Sequence, residues 1–395
     1  EDPIHQRRSG SAVVEPRVGG EDVDPEVDDE HAQQAHVIEL ASPVISYNDL
    51  EKIKAEQDPA FGSAEIDILF DPAGGAVTLC GDASLSSRPM KRVVEPLRAM
   101  GADIEHVGED GRLPIRVRGA ALSARSHELA VPSAQVKSAL LLAGLFGEGR
   151  TTVDGAGSSR DHTELMLGQM GVSCEPRGAE KGVGVDGPAR PGGLDMRVPG
   201  DPSSAAFFQV AAAMIPGSTL TAKGISLNHT RTGALRTMKK AGVAVAIERP
   251  SGDPRGETLG DVVVAHNGLR AFMLEGRDVP AQVDEIPVLA VLATQCEGTT
   301  VMSGAEDLRV KESDRLALMA ANLKKLGADV EEKPDGLVIQ GPTPLKGGAA
   351  EDPVVFETGG DHRIAMAMTI ASLINEGHSV LDNDACVAVS YPRFF

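Results

Sequence analysis

Tryptophan is absent from these 395 residues, tyrosine occurs twice, and all aromatics together make up 3%. Stacking platforms for single-stranded nucleic acid or glycans therefore cannot be numerous. The formal net charge of −20 argues the same way, because a protein gripping a phosphate backbone needs a basic stripe and this one would repel it. Nucleic acid is excluded as a main partner. Cysteine is also scarce. Cys80, Cys174, Cys296 and Cys386 lie far apart, with no C-x-x-C or Cys/His cluster, so neither a metal site nor a disulfide framework is indicated. They read as small buried hydrophobes in a reducing compartment. Long apolar runs are missing too. The best candidates, Ala139–Phe146 and Ser204–Ile215, are too short to span a membrane, and the N-terminus has no apolar signal core. No membrane partner and a cytoplasmic location are expected.

What is present suits a globular protein: 41% hydrophobic and 24% charged residues over a length sufficient for two or three domains. The acidity is uneven, since residues 1–50 hold twelve Asp/Glu against three Lys/Arg. Residues 1–35 carry no sustained period and are expected to form a solvated, disordered acidic tail. Residues 36–73 form a divergent segment. There Ser42 and Pro43 can start a helix and Ala64–Phe70 alternates like a strand. This stretch weakly resembles the "SPVxxxxxLxxIK…xIDxxF" segment of large glutamate synthase subunits, a likeness that transfers no catalytic residue.

From Gly74 onward the chain repeats. "RPMKRVVEPLRAMGADIE", "RDHTELMLGQMGVSCE", "RTGALRTMKKAGVAVAIE" and "ESDRLALMAANLKKLGADVE" each read as an amphipathic helix stopped by glycine (Gly101, Gly171, Gly242, Gly327) before a strand. In the last copy Leu316, Met319, Ala320, Leu323 and Leu326 form one apolar stripe. Alternating with these are helices apolar on nearly all sides: "SAQVKSALLLAGLFGEGRTTV", "SSAAFFQVAAAMIPGSTL", "EIPVLAVLATQCEGTTV" and "HRIAMAMTIASLINEGHSV". Such helices must be buried all round. One exposed and one buried helix with short strands, recurring every 70–85 residues, predict an α/β architecture with helices inside and sheets outside. Four units are expected, the first and last incomplete.

Polar residues gather just ahead of the helices, where unpaired N–H groups and the helix dipole favour anions. In "RVKESDR" Ser313 is the predicted N-cap, leaving Lys311, Glu312 and Arg315 at the helix start. "GGDHR" sets His362 and Arg363 before a buried helix, where an arginine has no packing reason to be. "SLSSRPM" sets Arg88 beside Pro89 at the first helical position, and "SSRDH" offers Ser158, Ser159 and Arg160. "VPSAQVKS" offers Ser133 and Gln135, and "QVDEIP" offers Asp284 and Glu285. Each alone is an ordinary cap or an exposed salt-bridged turn. As a set, arginines, a lysine and carboxylates at helix starts suit two small anions plus acid–base chemistry. No dinucleotide or Walker signature occurs, and "GAGSSR" is too loose for a phosphate loop.

At these residues the chain resembles the 5-enolpyruvylshikimate-3-phosphate synthases, specifically the glyphosate-tolerant bacterial class. "GDASLSSRPM", "SAQVKSALLLAG", "RDHTE", "PGDPSSAAF", "NHTRTG", "DEIPVLAV", "RVKESDR" and "DHRIAM" match in order across residues 74–395. The resemblance implies βαβαββ units in two lobes, an inside-out α/β barrel, with an incomplete first lobe at 74–198 and a second at 199–395. It implies transfer of the enolpyruvyl group of phosphoenolpyruvate to the 5-hydroxyl of shikimate 3-phosphate, in aromatic amino-acid biosynthesis. Ser133, Gln135, Ser159 and Arg160 would hold shikimate 3-phosphate, with Asp284 and Lys311 near its reacting hydroxyl. Arg88, Arg315 and Arg363 would clamp phosphoenolpyruvate. Asp284 would be the base and Glu312 the acid. No metal or redox cofactor is needed, and a monomer is expected, with association through the incomplete first lobe as the departure from it.

The sequence departs from the family in places. The Lys-Ser-x-Ser-x-Arg and GNxGTxxR loops do not occur, Val389 stands where many members have lysine, and the chain stops at Phe395 where members usually continue for another helix. Part of the apolar faces on Arg88–Met100 and Ala134–Phe146 is therefore expected to lack cover. Two alternatives follow: a catalytically silent binder of anionic metabolites, or a mis-joined reading frame. The sister family acting on UDP-N-acetylglucosamine expects a reactive cysteine on a mobile loop, and neither Cys80 nor Cys174 has that context.

Overall fold

In the computed structural model the described residues are 68–395 apart from 72–74, 82, 87, 158, 177–181, 197 and 253–255. The expected acidic tail, most of the divergent segment, and Ser158 lie outside them. Strand β1 (Ile68–Asp71) pairs antiparallel with β2 (Ala76–Leu79), so the last residues of the divergent segment belong to the first sheet.

The alternation of helices read from the sequence becomes a repeated topology. The first sheet has the order β1-β2-β4-β3, with β3 at Asp103–His106 and β4 at Ile115–Arg118. The second runs β5-β6-β8-β7, with β5 at Ser126–Glu128, β6 at Gly149–Asp154, β7 at Cys174–Pro176 and β8 at Gly182–Gly187. The third has β9 (Thr219–Ser226), β10 (Ala244–Gly252) and β11 (Thr258–Ala265) in the order β10-β11-β9, and a parallel bridge from Gly200 to Ile225 takes the place of a first strand. The fourth, β12 (Met273–Leu274), β13 (Gly298–Met302), β14 (Asp329–Lys333) and β15 (Gly336–Gly341), has the order β12-β13-β15-β14. The second and fourth sheets share one pattern: their first two strands are parallel and the rest antiparallel. The parallel pair β16 (Val354–Phe356) and β17 (Ser379–Leu381) begins the pattern once more.

Among the described residues, eight helices of eight or more residues connect these strands: α1 (Lys91–Ala99), α2 (Ala134–Gly144), α3 (His162–Gln169), α4 (Pro202–Met214), α5 (Gly233–Lys240), α6 (Ile286–Ala293), α7 (Arg315–Lys325) and α8 (His362–Ser372). Each complete unit opens on a strand or bridge and its buried helix. The structure therefore holds three full βαβαββ units, starting near Ser126, Gly200 and Met273, with a partial one at each end. The expectation of four units is corrected on this point: pairing each exposed helix with the buried one after it set the repeat out of phase by half a unit.

Burial follows the patterning. Every residue of α6 is buried, and α4, α6 and α8 pack on one another as the centre of a core that runs from Ala206 to Phe394. The predicted stripe of α7 is inside, while Lys324 and Lys325 face out. The four stop glycines all have positive φ. At Gly242 a Cβ would also lie 2.5 Å from the Gly268 carbonyl oxygen, so side chains are excluded twice. Two smaller cores lie under α1 and α2. The outer faces of these helices, through Met90, Val93, Leu97, Leu142 and Phe146, line an open apolar cavity of about 530 Å³.

Two helix starts differ from expectation. Asp314, not Ser313, caps α7, accepting from the Ala317 N–H at 3.0 Å, because a carboxylate is the stronger acceptor at a dipole end. Pro89 is not at the first helical position, since α1 begins at Lys91.

Candidate active site

A first-turn arginine is normally solvated, yet Arg315 is 1% exposed. Burying a guanidinium demands partners, and three carboxylates supply them. Its Nε donates to Asp361 Oδ2 at 2.8 Å, Nη2 to Glu312 Oε2 at 2.6 Å, and Nη1 reaches Asp284 Oδ1 at 3.5 Å. The other arginines converge through the same acids. Arg88 Nη2 lies 3.4 Å from Glu312 Oε1, and Arg160 Nη2 lies 3.0 Å from Asp284 Oδ2. Arg363 contacts Asp284 twice, at its carbonyl oxygen (3.4 Å) and at Oδ1 (3.8 Å). Four guanidiniums from four sequence-distant helix starts thus surround two carboxylates.

Ser133, Gln135 and Ser159 are drawn in less directly. Ser133 caps α2, accepting from the Val136 N–H at 3.4 Å. Two contacts hold the first turns of α2 and α3 side by side: Ser138 to Thr163 at 2.7 Å, and a Lys137–Glu164 ion pair at 2.5 Å whose lysine is 4% exposed. Ser133 and Gln135 open α2, and Ser159 and Arg160 lie just ahead of α3. Ser159 bonds back to the Ala156 carbonyl. Lys311 precedes Glu312 in the chain and is exposed, and its amine pairs with no described residue.

Several members of this neighbourhood are not among the residues expected from the sequence. Asp361 is fully buried and accepts from Ser313, Arg315 and the Arg363 N–H while capping α8. The signal for it was available, as an Asp directly before an apolar helical run is a cap. Lys137 and Glu164 were hidden because each lies more than 20 residues from its partner. A further knot joins His162 to Glu257, with Asn228 donating to Asp161 at 2.7 Å and to Glu257 at 3.3 Å. It ties the start of α3 to the segments flanking β9 and β11.

Charge states follow from these surroundings. Burial works to raise the Asp284 carboxyl, but Arg363, Arg160 and Arg315 outweigh it and hold the group well below the usual carboxylate range. Asp361 is lowered in the same way, burial being outweighed chiefly by Arg315. Burial, then the nearby Arg363, pushes His362 down. Glu285 goes the other way. Burial, and next the negative charge of Asp284, push its carboxyl up to about 7. A raised carboxyl stabilises the fold fully below the ordinary glutamate range, and that contribution is lost as pH rises through the folded value. Between pH 5 and 8 the protein should therefore lose about 3 kcal/mol of unfolding free energy that a Glu285→Gln variant keeps. Urea unfolding at both pH values measures this, and parallel losses in the two proteins would reject it.

Among the described residues no group of three or more His, Cys, Asp or Glu is disposed to hold a metal ion, and no helix is long and apolar enough to cross a membrane.

Fold and site together define a class: repeated βαβαββ units in two lobes, with helix starts aiming arginines and carboxylates at one place. The same fold occurs in the enolpyruvyl transferase NikO from Streptomyces tendae (TM-score 0.63, 20% identity, covering 80% of this chain and 71% of that one). The chain belongs to the EPSP synthase (3-phosphoshikimate 1-carboxyvinyltransferase) family, whose model matches residues 68–395. That match starts ahead of Gly74 and takes in β1. A 3-phosphoshikimate 1-carboxyvinyltransferase of Anaeromyxobacter sp. (strain Fw109-5) is 50% identical over 324 residues, 81% of this chain and 73% of its own length. One from Oceanobacillus iheyensis is 46% identical over 80% of this chain and 72% of its own. A solved EPSP synthase from Acinetobacter baumannii superposes with a TM-score of 0.73 at 38% identity, covering 81% of this chain and 72% of that one.

Proposed function

We propose that this protein transfers the enolpyruvyl group of phosphoenolpyruvate to the 5-hydroxyl of shikimate 3-phosphate and releases phosphate. The observation that carries the reading is the meeting of Arg88, Arg160, Arg315 and Arg363 around Asp284 and Glu312. Both substrates are small phosphorylated anions, and guanidiniums grip phosphate and carboxylate through paired donors. Arg160, with Ser133, Gln135 and Ser159, takes shikimate 3-phosphate. Arg88, Arg315 and Arg363 take phosphoenolpyruvate. The carboxylates already pair with these arginines, so binding exchanges internal ion pairs for substrate ones.

The chemistry needs a base at the attacking hydroxyl and an acid at the methylene carbon, both beside the same small substrate. Forming the bond from the 5-oxygen to the central carbon of phosphoenolpyruvate removes a proton from the hydroxyl and adds one to the methylene carbon. Asp284, held ionised by its arginines, is the base, and Lys311 lies near the same hydroxyl. Glu312 is the acid. Breaking the carbon–oxygen bond to phosphate while a proton leaves the new methyl group restores the double bond, so one hydroxyl and one enol phosphate become one enol ether and one phosphate. Fixed arginines supply orientation and charge neutralisation throughout. As a family member the chain is expected to act as a monomer in the cytoplasm.

A second reading, binding without turnover, draws on the absence of the Lys-Ser-x-Ser-x-Arg and GNxGTxxR loops from these 395 residues. Phosphate release measured beside a Glu312→Gln variant, with calorimetric titration of shikimate 3-phosphate, separates the two. Release that falls about a hundredfold or more in the variant supports the transferase. Tight binding with no release favours the silent binder, and equal non-zero release in both proteins would remove Glu312 from the chemistry.

A further inference from the structure

Glu285 is a buried carboxyl beside the site to which the proposed reaction gives no task and which, unlike Asp361, forms no ion pair with an arginine among the described residues. It follows Asp284 directly, is 3% exposed, and its Oε1 has no hydrogen-bond partner among the described residues. Its side chain does not cap α6, although it occupies the cap position. The backbone is fixed on both sides, with the Glu285 N–H donating to the Gln282 carbonyl and the Leu289 N–H donating to the Glu285 carbonyl. A buried half-satisfied carboxyl costs stability.

We propose that Glu285 is a positioning residue that sets how tightly the arginines hold the two anionic substrates. Neutral, it leaves Arg363 committed to the pocket. Ionised, it competes for Arg363 and weakens the grip. The inference rests on the function proposed above.

The geometry is specific. Arg363 Nη1 sits on the carbonyl of the peptide group that joins Asp284 to Glu285, so the same guanidinium serves the pocket and borders the buried acid. On the other side the Ser203 hydroxyl, at the start of α4, favours the ionised form of the Glu285 carboxyl. Ser203 in turn accepts from Arg231 Nη2 at 2.7 Å, and that nitrogen also contacts Asp201 Oδ1 at 2.7 Å. The charged groups acting on Glu285 are Asp284 on its own loop, Arg363 at the start of α8 and Arg231 ahead of α5; beyond them Asp201 pairs with Arg231, and Asp361 with Arg315. Arg315 is saturated by its three carboxylates and Arg231 by Asp201 and Ser203. Arg363 alone has only long contacts, at 3.4 and 3.8 Å, and is the cation a new negative charge would draw away. With burial and Asp284 opposing that charge, the change falls near neutral pH.

The experiment compares the full chain with Glu285→Gln, titrating shikimate 3-phosphate by calorimetry and measuring KM for phosphoenolpyruvate from pH 6 to 9. Ionisation of the substrates' own phosphates is common to both proteins and cancels in the comparison. Affinity of the unaltered protein should fall about tenfold more steeply than that of the variant, as expected for one charge several ångströms from the anions. The loss should lie in KM, with kcat little changed. A Ser203→Ala variant supplies an independent reading. It removes the hydroxyl that favours the ionised form, so the affinity loss should move to higher pH. Substrate binding with the same pH slope in the unaltered and Glu285→Gln proteins, or an unmoved midpoint in Ser203→Ala, overturns the inference alone. No affinity for either substrate at pH 6 would overturn the functional reading and this inference with it.

Discussion

Replacing Arg315 with methionine should destabilise the protein by about 3–5 kcal/mol, because it leaves Asp361 buried without its principal cation. Asp361 is fully buried, and Arg315 provides two of its side-chain contacts, at 2.8 and 3.4 Å. Two carboxylates at the site, Glu312 and Asp284, lose a partner at the same time. Urea unfolding measures the effect. A double replacement, Arg315→Met with Asp361→Leu, should recover much of the stability while leaving phosphate release abolished, since the charge pair is then gone from both sides. Arg315→Lys should not rescue activity, because one ammonium cannot reproduce a fork that serves three acids. A loss under 1 kcal/mol for Arg315→Met would show that the network holds little of the fold.

Asp284→Asn is expected to lower phosphate release by two to four orders of magnitude, roughly the range general-base removal produces. Affinity for shikimate 3-phosphate should hold or rise, because Arg160 then loses the carboxylate it now contacts at 3.0 Å. Rate and affinity thus move in opposite directions, which a misfolded variant would not reproduce. The pH behaviour follows from the lowered carboxyl. Asp284 stays ionised through mildly acidic solution, so its contribution to stability is present above the ordinary aspartate range and is lost only as pH falls toward its depressed folded value. Turnover within tenfold of the unaltered protein would take Asp284 out of the reaction.

How far the site could be read in advance depended on what kind of signal each residue gives. Arg363 stood out because a long cation before "IAMAM" has no packing use, and Arg315 because it closes a dense charged cluster. Both meet Asp284. Asp361, by contrast, looks like a common helix cap, and only its burial against Arg315 makes it a hub. Ser313 was misplaced because two adjacent residues could each cap α7, and Arg309, by pairing with Asp314 at 2.9 Å, helps hold the aspartate at that position. Glu285 could not be distinguished from a cap at all, as nothing local tells a half-satisfied carboxyl from a solvated one.

The chain's own pattern decided the local elements: glycine-stopped amphipathic helices, all-round apolar helices and arginines at helix starts. These depend on spacing within a few residues, where backbone geometry and side-chain polarity act directly. The fold alone decided which helix starts face each other, the order of strands in each sheet and the burial of Arg315, Asp361 and Glu285. Contacts such as Arg88 to Glu312, 224 residues apart, arise when separate units pack, and the low-dielectric surroundings that packing creates are what turn two adjacent ordinary carboxylates into one held ionised and another that changes charge near neutral pH.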